Sequence, residues 1–183
     1  MRDEYLTERQ IESKEIFSGR LLHVFSDRIE LPSKKQTGRE YIRHVGAVCV
    51  IPITKEGEVV LERQFRYPMG KVLLEIPAGK LNSKEEPPEE AARRELKEET
   101  GIDAAKWTSL GSFYPAAAYS DEHIRMYMAE ELTFGDSNLD DGEFLTVFRM
   151  KLDDLLDEIE KGNVPDGKTQ CAALRAARLL GKR

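Results

Sequence analysis

Glu95, Glu98 and Glu99 are the residues of this sequence best suited by type and spacing to do chemistry. On a helix turning about 100° per residue, Glu99 lies about 40° to one side of Glu95 and Glu98 about 60° to the other. The three carboxylates therefore share one face. Like charges one turn apart cost a helix about 0.2–0.5 kcal/mol per pair, so alanine at these positions would favour folding more. A cation in front of the face reverses that balance. An all-oxygen donor set suits a hard divalent ion such as Mg²⁺, which keeps water and substrate phosphates as its remaining ligands. Three glutamates alone also fit a solvated acidic surface, so the residues around them decide the reading.

The element that must carry these carboxylates is a helix opening at Pro87–Pro88 and stopping at Gly101. Proline in the first turn loses no needed N–H, Glu89 and Glu90 complement the positive helix end, and glycine after Thr100 is a stop signal. Glu89 with Arg93 and Glu90 with Arg94 stand in the favourable i,i+4 order. Before the helix, REYIRHV, GAVCVIPI, EVVLERQF and KVLLEIPAGK read as strands. GAVCVIPI lacks polar alternation, as a strand buried on both faces should, and Cys49 within it reads as a small core residue. The KVLLEIP strand is expected to end at Pro77, with Gly79 opening a loop. Upstream, residues 1–13 read as a loose polar arm, Ile16–Leu31 as strand-like and Pro32–Gly38 as a turn. After the helix, KWTSLGSFY, HIRMYMAEEL and EFLTVFRM read as strands, and LDDLLDEIEKG and KTQCAALRAARLL as amphipathic helices. One long helix between groups of strands favours a helix-flanked mixed sheet over a doubly wound parallel one.

Residues 79–102, GKLNSKEEPPEEAARRELKEETGI, resemble the Nudix box, Gly–x5–Glu–x7–Arg–Glu–U–x–Glu–Glu–x–Gly–U with U aliphatic. Gly79, Arg94, Glu95, Leu96, Glu98, Glu99, Gly101 and Ile102 fall in place. One extra residue precedes the helix, so Glu85 keeps the spacing from Gly79 and Glu86 keeps the spacing from Arg94; Glu86 is the favoured box residue. The resemblance implies an α+β Nudix fold, a mixed β-sheet core flanked by helices as an α/β/α sandwich. It also implies an enzyme that hydrolyses a nucleoside diphosphate linked to another group, using two or more Mg²⁺ or Mn²⁺ ions. Glu95, Glu99 and the backbone carbonyl of Ala78 are the implied direct metal ligands. Glu98 binds a further ion or acts through water, and Arg94 orients the glutamates.

IFSGR, GAVCVIPI, ERQFR, LEIPAGK, FYPAAAYSDE and AEEL extend the resemblance to the ADP-ribose and nucleoside diphosphate sugar pyrophosphatase branch. That branch implies a small N-terminal β-sheet part, residues 1–43, that dimerises the protein, and a hydrolase domain, residues 44–183. Arg66 and Arg43 match substrate-binding arginines, whose forked donors suit phosphate and ribose. Glu143, on an acidic loop after the box, matches the general base, with Glu122 as the alternative. FYPAAAYSDE departs from the branch, with Pro115 early and Ala117 where proline is expected. A different loop course follows, and with it a broader nucleoside diphosphate sugar activity.

Composition narrows the alternatives. A net charge of −6 and a pI near 5.3, without a Lys/Arg cluster beside the box, argue against nucleic acid and an RNA-end pyrophosphohydrolase. A dinucleotide polyphosphate hydrolase differs by substrate alone. A non-catalytic Nudix-fold regulator has no need of all three carboxylates, which are intact here. No apolar run is long enough to span a membrane, and MRDEYLTERQ lacks the apolar core of a secretory signal, so a cytoplasmic protein is expected.

Overall fold

A computed structural model describes residues 3–139, 141–142 and 144–182, apart from the side chain of Glu4. The chain divides into two compact units, one of residues 1–44 with 116–122 and one of residues 45–115 with 123–183.

The first unit is an antiparallel meander of β1 (Arg9–Ser18), β2 (His23–Glu30) and β3 (Gln36–Arg43). Residues 9–13, expected as a loose arm, are strand: Arg9 pairs with Glu30 and Ser13 with Asp27. In residues 9–13 Ile11 alone is apolar, so this part of the strand carries no alternation to read. Its side chains meet partners across the sheet instead, Gln10 donating to Asp27 at 2.5 Å and Arg28 to Glu12 at 3.1 Å. The turn before β3 is shorter than the sequence suggests and ends at Lys35, whose carbonyl accepts from Leu31 N–H. Residues 116–122 dock on β3, where Ile42 N–H donates to Tyr119 O at 2.9 Å.

The second unit has two sheets. The larger runs β7 (Ala78–Lys80), β4 (Ala47–Pro52), β9 (Ile124–Phe134), β8 (Ile102–Phe113), with β4 and β9 parallel and the other neighbours antiparallel. The smaller orders β10 (Leu145–Lys151), β5 (Glu58–Arg66) and β6 (Lys71–Glu75), all antiparallel. Every residue of β4 is buried, as its unbroken apolar run requires. Its two faces serve two cores. Cys49 and Ile51 pack with Leu152 and Leu155 of α2 (Leu152–Glu160) and Ala172 and Ala176 of α3 (Gly167–Leu179). Val48 and Val50 pack with Ala91, Ala92 and Leu96 of α1 (Pro88–Thr100). Helices thus cover both faces of a mixed sheet, the α/β/α arrangement expected. Burial in the first of these cores pushes the Cys49 thiol up to about 12. No described helix is long and apolar enough to cross a membrane.

Candidate active site

α1 sits where the sequence places it because both ends are defined. Pro87 caps it in extended conformation and Pro88 opens it. Gly101, at φ 70°, closes it through its N–H to Lys97 O at 2.8 Å; a Cβ there would strike the backbone of Gly135. The apolar stripe of Ala91, Ala92 and Leu96 seats the helix on β4, and the carboxylates emerge beside β7.

Gly79 was expected to open a loop. It lies instead inside β7, paired with Val48 of β4. The reason is contact: a Cβ at position 79 would fall on the Glu95 carboxylate. Only glycine lets that side chain lie against the strand. Next to it, Ala78 N–H donates to Glu99 Oε2 at 3.0 Å, and Glu99 is 3% exposed. Strand β7 and helix α1 are therefore locked together by the residues implied as metal ligands.

Arg94 organises the remainder. Its Nη1 donates to Glu95 Oε1 at 2.8 Å and Glu98 Oε2 at 3.1 Å, its Nε to Glu86 Oε1 at 3.2 Å and its Nη2 to Lys80 O at 3.2 Å. The expected i,i+4 pair of Glu89 with Arg93 forms at 2.8 Å, whereas Arg94 turns away from Glu90 to these partners. Partial burial opposes the Arg94 charge, but the carboxylates outweigh it and hold its pKa above the ordinary value. Of the two candidates for the first box glutamate, Glu86 meets Arg94 and Glu85 is exposed. The Asn82 N–H, with Arg94, keeps the Glu86 carboxyl below its usual range. The extra loop residue is absorbed before Glu86, and the helical face is unaffected.

One guanidinium thus faces Glu86, Glu95 and Glu98, with Glu99 held by the Ala78 N–H, a local excess of negative charge built from oxygen donors. Among the described residues no three acidic, imidazole or thiol groups already close on one point; Arg94 holds Glu95 and Glu98. The donor chemistry and the Gly79 cradle nevertheless fit a hard divalent ion.

Arg66, the expected substrate arginine, ends β5 with its side chain 38% exposed. Its Nε and Nη2 donate to Glu75 Oε1 and Oε2 at 2.8 and 2.7 Å, a bidentate pair across β5 and β6. Glu75 is itself buried and also ion-paired to Lys168 of α3. Sequence reading passed over both partners. Lys168 left a signal, since a lysine in the first turn of a helix opposes the dipole; a carboxylate must offset it.

Arg43 and Glu122 belong to the first unit. The Arg43 guanidinium lies 3.8 Å over the Phe25 ring, and its Nη2 donates to Tyr41 Oη at 2.8 Å and Ser13 Oγ at 3.2 Å. Glu122 lies 3.9 Å from His44 Nδ1. Glu143 falls outside the described residues.

Comparison with known proteins agrees with this architecture. The NUDIX domain model matches residues 43–169. An ADP-ribose pyrophosphatase of Bacillus subtilis (strain 168) is 41% identical over 169 residues, 91% of each chain. A methanol dehydrogenase activator of Bacillus methanolicus is 40% identical over 90% of each chain. A solved structure described as an ADP compounds hydrolase superposes with a TM-score of 0.85 at 24% identity, covering 95% of this chain and 94% of that one, a likeness of fold. With its box intact and its domain matched over most of its length, the chain belongs to the NUDIX family.

Proposed function

We propose that this protein is a Nudix pyrophosphatase that hydrolyses ADP-ribose and related nucleoside diphosphate sugars to a nucleoside monophosphate and a sugar phosphate. The observation that carries the reading is the acidic face of α1 seated on Gly79 and Ala78, in a chain similar across most of its length to an ADP-ribose pyrophosphatase. Nudix hydrolases are generally divalent-metal dependent. Here Glu95, Glu99 and the Ala78 carbonyl would hold Mg²⁺ or Mn²⁺, with Glu98 serving a further ion or acting through water. Bound there, the ions would supply Lewis acidity and neutralise the pyrophosphate oxygens.

The chain's own groups do the rest. Arg94 keeps the carboxylates splayed on one face instead of repelling one another apart. Arg66 binds the diphosphate with the N–H groups that Glu75 leaves unused. Arg43 supplies a second contact to substrate. Glu143, with Glu122 as the alternative, takes the proton from the attacking water as its oxygen bonds to phosphorus and the bridging P–O bond breaks. Residues 1–43 form the dimerising part and residues 44–183 the hydrolase domain of a cytoplasmic homodimer.

The test is product analysis by mass spectrometry with Mg²⁺ and a panel of ADP-ribose, ADP-glucose, GDP-mannose, UDP-glucose and capped RNA. Nucleoside monophosphate plus sugar phosphate from the sugars supports the reading; cleavage of RNA alone, or of nothing, overturns it. The Bacillus methanolicus relative favours one second reading, action on an alcohol dehydrogenase. Rate enhancement in a methanol dehydrogenase assay checks it.

A further inference from the structure

The C-terminal helix reaches the candidate site through a buried set of charges that the reaction chemistry does not itself require. Lys168, on the first turn of α3, is 9% exposed, ion-paired to Glu75, and 3.1 Å from Asp166 Oδ1. Glu75 is 1% exposed and grips Arg66 through both carboxylate oxygens. Glu62, fully buried, stands directly across the β5–β6 register from Glu75. Arg66 therefore ends a strand pair rich in buried carboxylate. Without a second cation these acids would draw the whole Arg66 charge inward and leave little for an anionic ligand.

The same helix end also fixes the backbone that leads to Ala78. Asp166 caps α3, accepting from Thr169 N at 2.9 Å and from Thr169 Oγ1 at 2.6 Å. Thr169 Oγ1 in turn accepts from Ile76 N–H at 3.0 Å. The next residue, Pro77, accepts from Val50 N–H at 2.9 Å, and Ala78 N–H is held by Glu99. Residues 75–78 are thus clamped at successive positions, and the first clamps come from residues more than 90 positions downstream.

We propose that Lys168 and Glu75 are positioning residues for substrate: Lys168 neutralises Glu75 from inside, so that Glu75 aims Arg66 while the Nη1 side of the guanidinium keeps its charge for the diphosphate. The inference rests on the pyrophosphatase reading for its ligand class. It assigns Lys168 a role in ligand affinity that a merely structural lysine would lack.

A double-mutant cycle on the full-length chain tests it. Lys168→Met, Arg66→Ala and the double variant are compared by the calorimetric Kd for ADP-ribose in EDTA, and by KM and kcat with Mg²⁺. Lys168→Met should raise Kd and KM about 10-fold, the lower end of losses seen when a supporting partner is removed, with kcat changed less. In the Arg66→Ala background the same substitution should change Kd less than about 2-fold. Equal effects in both backgrounds, or an unchanged Kd in Lys168→Met, overturn the proposal. If Lys168→Met does not fold, Lys168→Gln, which also removes the charge but keeps a polar end, takes its place in the cycle with the same expectations. A wild-type protein that binds ADP-ribose with this coupling but hydrolyses no nucleotide sugar would sink the catalytic reading and leave the positioning role standing. A wild-type protein that neither binds nor hydrolyses would remove both.

Discussion

Two arginines in the same unit, Arg94 and Arg66, each gather carboxylates, and they do so in opposite ways. Arg94 is one cation among Glu86, Glu95 and Glu98, at a helix face beside β7. Arg66 shares its buried Glu75 with a second cation, Lys168. The first cluster keeps an excess of negative charge and is incomplete without a further cation. The second sets two cations, Arg66 and Lys168, against Glu75, Glu62 and Asp166, a smaller excess, and the inner cation leaves the arginine able to serve a ligand. In the proposed enzyme the larger excess would hold metal, and the smaller one, shared by two cations, would hold substrate.

The largest effect should come from the deficient cluster. Replacing Glu95 by Gln keeps shape and removes the charge that pairs with Arg94 and, in the proposed site, with the metal; kcat should fall about 10²–10³-fold, the range for losing one preorganised electrostatic contact at a transferring phosphoryl group. Steady-state kinetics with saturating Mg²⁺ check this. An unchanged kcat would mean that the excess charge is only a surface feature.

Gly79→Ala sharpens the same point without touching a charge. The added methyl must displace the Glu95 carboxylate, and misplacement of a reacting group by about 1 Å costs as much as 10²-fold. Loss of activity in a variant with an unaltered circular dichroism spectrum would show that the cradle matters, not the fold.

Stability should rank the two clusters in the reverse order. Lys168→Met leaves Glu75 buried with one partner fewer and should cost about 3 kcal/mol. Arg94→Met, at a more open face where removing the cation also worsens repulsion, should cost about 1 kcal/mol. Urea unfolding of both variants measures the difference, and equal losses would break the distinction.

The smallest effect lies in acid. Burial works against the ionised Glu75, but hydrogen bonding from Arg66 and the Lys168 charge outweigh it and hold its pKa below the ordinary 4.5. For a depressed carboxyl the unfolded chain takes up the proton first, so its stabilisation is fully present above the ordinary value and is lost as pH falls through the folded one. Glu75→Gln should therefore show a shallower loss of stability than the wild type as pH falls below the ordinary 4.5.

The two clusters also differ in how far the sequence reveals them. The Arg94 set lies within α1 and the turn before it, where helical spacing alone puts Glu95, Glu98 and Glu99 together and the capping residues fix the register. β4 was equally plain, because a strand buried on both faces has no polar alternation. The Arg66 set joins Arg66 to Glu75 across a hairpin, and Glu75 to Lys168 across 93 positions. Such pairing is decided by how α3 packs on the sheet, which no local pattern encodes. The first half of β1 escaped for a related reason: its polar side chains find partners across strands. Gly79 was recognised as a box residue but placed in a loop, because the cause of its glycine is a carboxylate sixteen residues on. Glu143, Glu122 and Arg43 remain proposals from resemblance, Glu143 outside the described residues and the other two in the first unit.

The most direct measurement is turnover of ADP-ribose by wild type and Glu99→Gln in parallel, first with EDTA and then with Mg²⁺ restored. No turnover is expected in EDTA, with full recovery of the wild type on adding Mg²⁺ and little recovery of Glu99→Gln at any Mg²⁺ concentration. Hydrolysis that persists in EDTA, or a Glu99→Gln enzyme as fast as wild type, would contradict a metal held by the α1 carboxylates.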